Sequence, residues 1–395
     1  MGWPPSPMEA HLLARLVATL TMVFTSAASA QLPPTLGRLE PGTCPTCTAT
    51  LEKVAVIGKA TDAELLPEYG RLTALADGGY VFAAGTGSTP ILRYDRNGKY
   101  LGAVGRIGDG PGEYRSTQSV VRARGDSLSV MGGRRIATIS LSNGRGRSEP
   151  VPPKIEGFFH VVLPDGRVIV NASAQEQATF ALLSPTSTLI SRFGPLPPKV
   201  VLPYQGGRTI TDPYATWVSM AVSPSGAVWA GVMHYAHRRQ KIAATGAVLV
   251  DIARKPSWHS AYTYADIDEK MYRLGELRVP RLSTMTGLGI DPGGLLVTMS
   301  RVADAKWKAD PKAPPPHPPG GEYPVEKLVP TGGIDRYVDT ILEVYREADG
   351  AFLGSWRSDA VLGSMMSNGL ISLKVEDADG VVSYTVYRVK VTGAK

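Results

Sequence analysis

Cysteine is nearly absent: Cys44 and Cys47 are the two in 395 residues. That excludes an all-cysteine zinc site, and Cys44-Pro-Thr-Cys47 has no His after it to make a haem-attachment signature. No later apolar run approaches the ~20 residues a membrane-spanning helix needs. Charge is not one-sided either. Forty-two basic and 35 acidic side chains give a net +7, but they alternate along the chain. The clustered basic stripe with interleaved aromatics that nucleic-acid binding requires is missing. So are a nucleophile elbow and a G-K-[ST] phosphate loop. Long helical periodicity is confined to the N-terminus.

What the chain has in quantity is turn residues, with 43 glycines and 32 prolines. Six turns separate pairs of short apolar runs: Asp77-Gly78-Gly79, Arg124-Gly125-Asp126, Pro164-Asp165-Gly166, Pro224-Ser225-Gly226, Asp291-Pro292-Gly293 and Ser367-Asn368-Gly369. A second turn follows about 20 residues later in most units, as at Arg96-Asn97-Gly98 and Ser142-Asn143-Gly144, and much later in the fifth, at Asp349-Gly350. Such a double series predicts stacked four-stranded antiparallel units. The expectation is an all-β chain forming a six-bladed β-propeller. The last unit (strands near 363–366, 370–375 and 382–391) ends one strand short. At the other end, residues 51–57 read as a strand with no blade of their own. Pairing that strand with the last C-terminal one closes the ring and removes two exposed sheet edges.

The expected domain organisation is 1–30 as a signal peptide, 31–50 as a Pro-rich lead-in and 51–395 as the propeller. Arg15 precedes the apolar run 16–24, and Ala28-Ser29-Ala30 makes a small-residue cleavage site. Export to the periplasm or beyond follows, and with it an oxidising compartment in which Cys44 and Cys47 are expected to form a local disulfide.

Label the strands of each blade A to D from the inside outward. A–B and C–D turns then share one face, and B–C and D–A connections share the other. Every A–B turn is short. The long segments are the D–A connections 105–118, 194–216 and 253–283, and a Pro-rich B–C insertion in blade five at 302–336. Function tends to sit on elaborated loops held by a rigid frame, so the B–C/D–A face is the expected working face.

The first D–A connection carries Gly105-Arg-Ile-Gly108-Asp-Gly110-Pro-Gly112-Glu113-Tyr114. This segment resembles a signature of the bacterial exported six-bladed β-propellers related to NHL-repeat propellers. The resemblance implies the fold and export, and carries over no catalytic residue. Read directly, the segment is a tight structural reversal, because no helix follows it to hold a phosphate.

Acids recur at one distance before the A–B turn glycine in three blades, at Glu68, Glu156 and Asp359, with Glu113 placed similarly in blade two. At the entry to strand A they would ring the channel mouth. Converging carboxylate oxygens suit Ca²⁺, with Glu68, Glu156 and Asp359 as the metal ligands; the bland alternative is pairing with loop bases such as Arg71 or Arg115. His234 and His237 fall in the B–C turn of blade four as a candidate ligand pair without an evident third member. His160 is expected to be a hydrogen-bonded interior residue. Arg134-Arg135 and Arg238-Arg239 are expected at B–C turns. No cofactor is evident beyond possible Ca²⁺. The favoured function is a binding module for a protein, peptide or small-molecule ligand on the long-loop face. A metal-assisted lyase or lactonase, or a structural component of an envelope complex, are the alternatives.

Overall fold

Short β-rich runs broken by glycine turns leave little choice but hairpins. At the first A–B turn Gly78 takes φ 84°, a left-handed conformation that a side chain disfavours. The structure is a computed structural model that describes residues 33–67, 69–84, 89–153, 155, 157–171, 178–195, 199–202, 207–211, 217–233, 236–259, 261–267, 280–309 and 337–393. From Pro34 onward the described residues fall in a single unit.

Six antiparallel sheets of four strands or more follow in chain order. Their innermost strands are Arg71–Ala74, Ser119–Arg122, His160–Val162, Val218–Val222, Thr284–Ile290 and Ser364–Met365. Each lies beside the next around the ring. The core follows the same plan, for among the described residues it divides into six apolar clusters, one per seam between neighbouring blades. The seam between blades six and one, with Ile57, Phe82, Tyr94 and Tyr384, shows the circle closed. Closure comes as the unpaired ends of the chain demand: Thr48–Ile57 pairs antiparallel with Val382–Thr392 as the outermost strand of blade six.

Two elements go beyond the sequence reading. Within the lead-in, Gly37–Glu40 adds a fifth strand outside Phe352–Ser358 of blade five. The chain therefore crosses from the rim of blade five to the rim of blade six. At the crossing Cys44 and Cys47 are disulfide-bonded, Cys47 is buried, and the Arg38 guanidinium donates to the carbonyls of Pro41, Cys44 and Cys47. In blade four Arg238-Arg239, expected at the B–C turn, belong to the third strand, Arg238–Ile242. Its first half is charged and gave no apolar signal, and Arg239 is buried nonetheless.

The long D–A connections carry structure of their own. The one after blade three contains the hairpin Lys199–Leu202/Arg208–Thr211. The one after blade four contains the short helix Tyr264–Ile267, which touches that hairpin. The signature segment after blade one folds back on itself through a parallel pairing of Arg106–Ile107 with Glu113–Tyr114. Of the Pro-rich insertion, residues 310–336 lie outside the described residues. Among the described residues no helix is long and apolar enough to cross a membrane.

Candidate functional site

The channel mouth on the D–A face is built from the residues that lead into strands A. Arg71, first residue of the innermost strand of blade one, is exposed. It reaches across to blade three, where its guanidinium sits 5.3 Å from the Phe159 ring centroid. Surrounding protein atoms lower its pKa from the ordinary guanidinium value by desolvation. Water reaches this group, yet protein crowds it, as a funnel would. Next to Phe159, Phe158 is 41% exposed and packs against Trp217 at the entry to blade four, with ring centroids 5.9 Å apart.

These side chains are held from beneath. Asn171, fully buried, accepts hydrogen bonds from the backbone N–H of Phe158 and of Phe159 at 2.9 and 2.6 Å, and its own N–H donates to Phe159 O. Gly157 lies so close to the next strand that a Cβ there would meet Val170 Cγ1 at 2.1 Å. On the other side of the mouth a Cβ at Gly70 would meet the Phe82 ring at the same 2.1 Å. Arg71 and the aromatic pair thus project from backbone with no room to shift.

A second polar assembly lies in the seam between blades four and five. Glu343, in a run of apolar residues on the third strand of blade five, accepts hydrogen bonds from His237 Nε2 at 2.8 Å, Arg239 Nη2 at 2.6 Å and Arg254 Nη1 at 2.5 Å. Arg254 also pairs with Glu40 of the fifth strand and stacks on Phe352. Burial alone would raise the Glu343 pKa, but Arg239, the His237 hydrogen bond and Arg254 hold it down at about 2. Burial pushes His237 down from its ordinary value against the pull of Glu343. It also lowers the adjacent His259 to about 4. A small cavity of about 10 Å³, room for one water at most, lies between His237, His259, Arg239 and Ser300. Two arginines against two carboxylates with a neutral imidazole leave this assembly neutral, so it joins blades rather than presenting charge.

The residues expected to carry function are placed as follows. His237 is in that seam, buried, and not in an open turn. Glu113 closes its own loop, accepting from Gly110 N at 2.8 Å, while Arg115 pairs with Asp109 instead. Asp359 is well exposed and lies 3.6 Å from Lys306 Nζ. Glu68, Glu156 and His234 lie outside the described residues, which leaves Asp359 as the one described member of the expected Ca²⁺ set. Among the described residues no group of three or more His, Cys, Asp or Glu is placed to share a metal. His160 is fully buried between the hydroxyls of Ser119 and Ser129, each 2.9 Å from a ring nitrogen, and burial lowers it to about 3.

Sequence reasoning missed Arg71 as a mouth residue, having counted it only as a partner for acids. It missed Glu343 altogether. The available signal was two acids, Asp339 and Glu343, four apart on one face of an otherwise apolar strand. Both are buried, Asp339 against Arg357. A cleft of about 240 Å³ opens on the opposite face between blades two and three. It is a crease between short turns, across which Arg147 donates to Pro185 O, and holds no buried ionisable group.

No protein-family model matches the chain, and no curated protein matches it in sequence. Among solved structures it is similar to a protein of Bacteroides fragilis supposed to be exported, at 9% identity and a TM-score of 0.53, over 90% of this chain and 98% of that one. It also aligns with a luciferin-regenerating enzyme at 10% identity and a TM-score of 0.44, over 87% of this chain and 95% of that one. A virginiamycin B lyase from Staphylococcus aureus aligns at 11% identity and a TM-score of 0.40, over 79% and 99% respectively. The first of these is a likeness of fold alone.

Proposed function

We propose that this protein is an exported binding module that takes its ligand at the channel mouth of the B–C/D–A face. The observation that carries the reading is the set of aromatic side chains there, Phe158 and Trp217 with Phe159 beneath Arg71, held by buried Asn171. Half-exposed aromatics on rigid backbone give contact area at little entropic cost, as binding surfaces require. The hairpin and helix of the D–A connections add relief to this face, while the opposite face is mostly short turns. Export is supported by the leader-like residues 16–30 and by the bonded cysteine pair; the Bacteroides fragilis neighbour is itself supposed to be exported.

The test is a thermal-shift screen of the processed chain against a small-molecule library. Compounds that raise the melting temperature should lose their effect in Trp217→Ala and Phe158→Ala. They should keep it in Arg96→Ala on the opposite face. Hits that survive both aromatic substitutions would move the site elsewhere.

A further inference from the structure

The mouth holds a charge that no carboxylate answers among the described residues. Several buried or half-buried guanidiniums meet carboxylates, Arg239 and Arg254 at Glu343 and Arg357 at Asp339, while Arg135 meets the hydroxyl and carbonyl of Ser148 and Arg301 the carbonyl of Gly363. Arg93 reaches Asp77. Arg71 is different, since among the described residues its one partner is the face of Phe159. A guanidinium stacked on a ring keeps its in-plane N–H donors free, in the fork geometry that receives a carboxylate through two parallel hydrogen bonds. The surrounding protein and low-dielectric walls strengthen any pair formed there relative to one in open water. Phe158, the neighbour of Phe159 in sequence, packs with Trp217 and offers an apolar surface.

From this juxtaposition we propose that the channel mouth binds a small monocarboxylate carried on a flat apolar ring: the carboxylate pairs with Arg71 and the ring packs on Phe158 and Trp217. One unpaired cation matches one negative charge. A phosphate dianion would call for further donors that the described mouth does not supply. The inference rests on the mouth being the binding site, and adds the chemistry of what enters.

Calorimetric titration of the processed full chain with phenylacetate and with its uncharged isostere phenylacetamide tests it. A charge-assisted bidentate pair is worth ~1.5–3 kcal/mol, so phenylacetate should bind about tenfold or more tighter than the amide. Arg71→Met keeps an unbranched stem on Phe159 and should bring the two ligands to within about twofold, by loss of the same pair. Arg71→Lys should recover part of the gap, and Trp217→Ala should weaken both ligands alike. The two Arg71 variants should melt with the wild type, because among the described residues Arg71 is seen in no contact besides Phe159. Equal binding of acid and amide by the wild type, no binding of either, or a preference that survives Arg71→Met would each overturn the proposal. None of these touches the wider reading of the mouth as a binding site, which fails only if ligand-induced stabilisation ignores Phe158 and Trp217.

Discussion

Individual side chains make this fold acid-sensitive. His160 and His259 are neutral in the folded protein, with pKa values lowered by burial to about 3 and about 4. A base whose folded pKa lies below its unfolded value contributes fully above the unfolded value, near 6.5. That contribution is lost as pH falls toward the folded one. Glu343, held at about 2, acts in the same direction, since its stabilisation fades as pH drops from 4.5 toward 2. For His160, 2% exposed, the fall from 6.5 to about 3 corresponds to on the order of 5 kcal/mol. Urea unfolding should therefore show stability declining steadily from pH 6.5 to pH 4, and His160→Asn should flatten that decline; a wild-type profile level across this range would contradict the argument. Glu343→Gln should cost roughly 3 kcal/mol or more at neutral pH, because it strands Arg239 and Arg254 in the seam. Denaturation midpoints would measure it, and a neutral substitution would mean the seam is wet. Little of this was legible in the chain. A strand reading from apolar alternation has no way to tell a buried, ion-paired Glu343 from a solvated one, and its partners His237, Arg239 and Arg254 come from segments 89 to 106 positions away.

At the scale of strands, the N-terminal segment is the informative element. Its closing strand was readable because two incomplete pieces, the missing fourth strand of blade six and the unhoused residues 51–57, fitted each other. Its other strand, Gly37–Glu40, was not. Four residues flanked by prolines carry no alternation, and their pairing depends on an edge more than 300 positions away. The mouth was half legible: loop lengths indicated the face, but Arg71 and Phe159 meet only through the curvature of the ring. The crossing between the two rims makes a graded prediction. Replacing Cys44 and Cys47 by Ser opens a very short loop and should cost about 2 kcal/mol. Deleting residues 33–57 exposes the edge of Val382–Thr392 as well and should give aggregation. Denaturation of the first variant and light scattering of the second would check this order. A full-length deletion behaving like the double Ser variant would mean the outer strand of blade six is dispensable.

For the whole molecule, closure is the longest-range event. Thr48 pairs with Thr392, so the natural ends of the propeller lie side by side and invite reconnection. A circular permutant joining Thr392 to Thr48 through Asn-Gly, with new ends at Gly125, turns the last pairing into a hairpin. Gly125 sits in open space. With loop-closure entropy removed from that step, refolding should be faster than in the parent, as stopped-flow fluorescence would record; an unchanged rate would place the slow step elsewhere. The parent protein lives with the opposite arrangement. Ribosomes make residues 37–57 long before the strands that receive them, Phe352–Ser358 and Val382–Thr392. Throughout that interval the early strands are a sticky ribbon whose partners do not yet exist, so a cell producing this protein must keep that ribbon occupied until the last blade arrives.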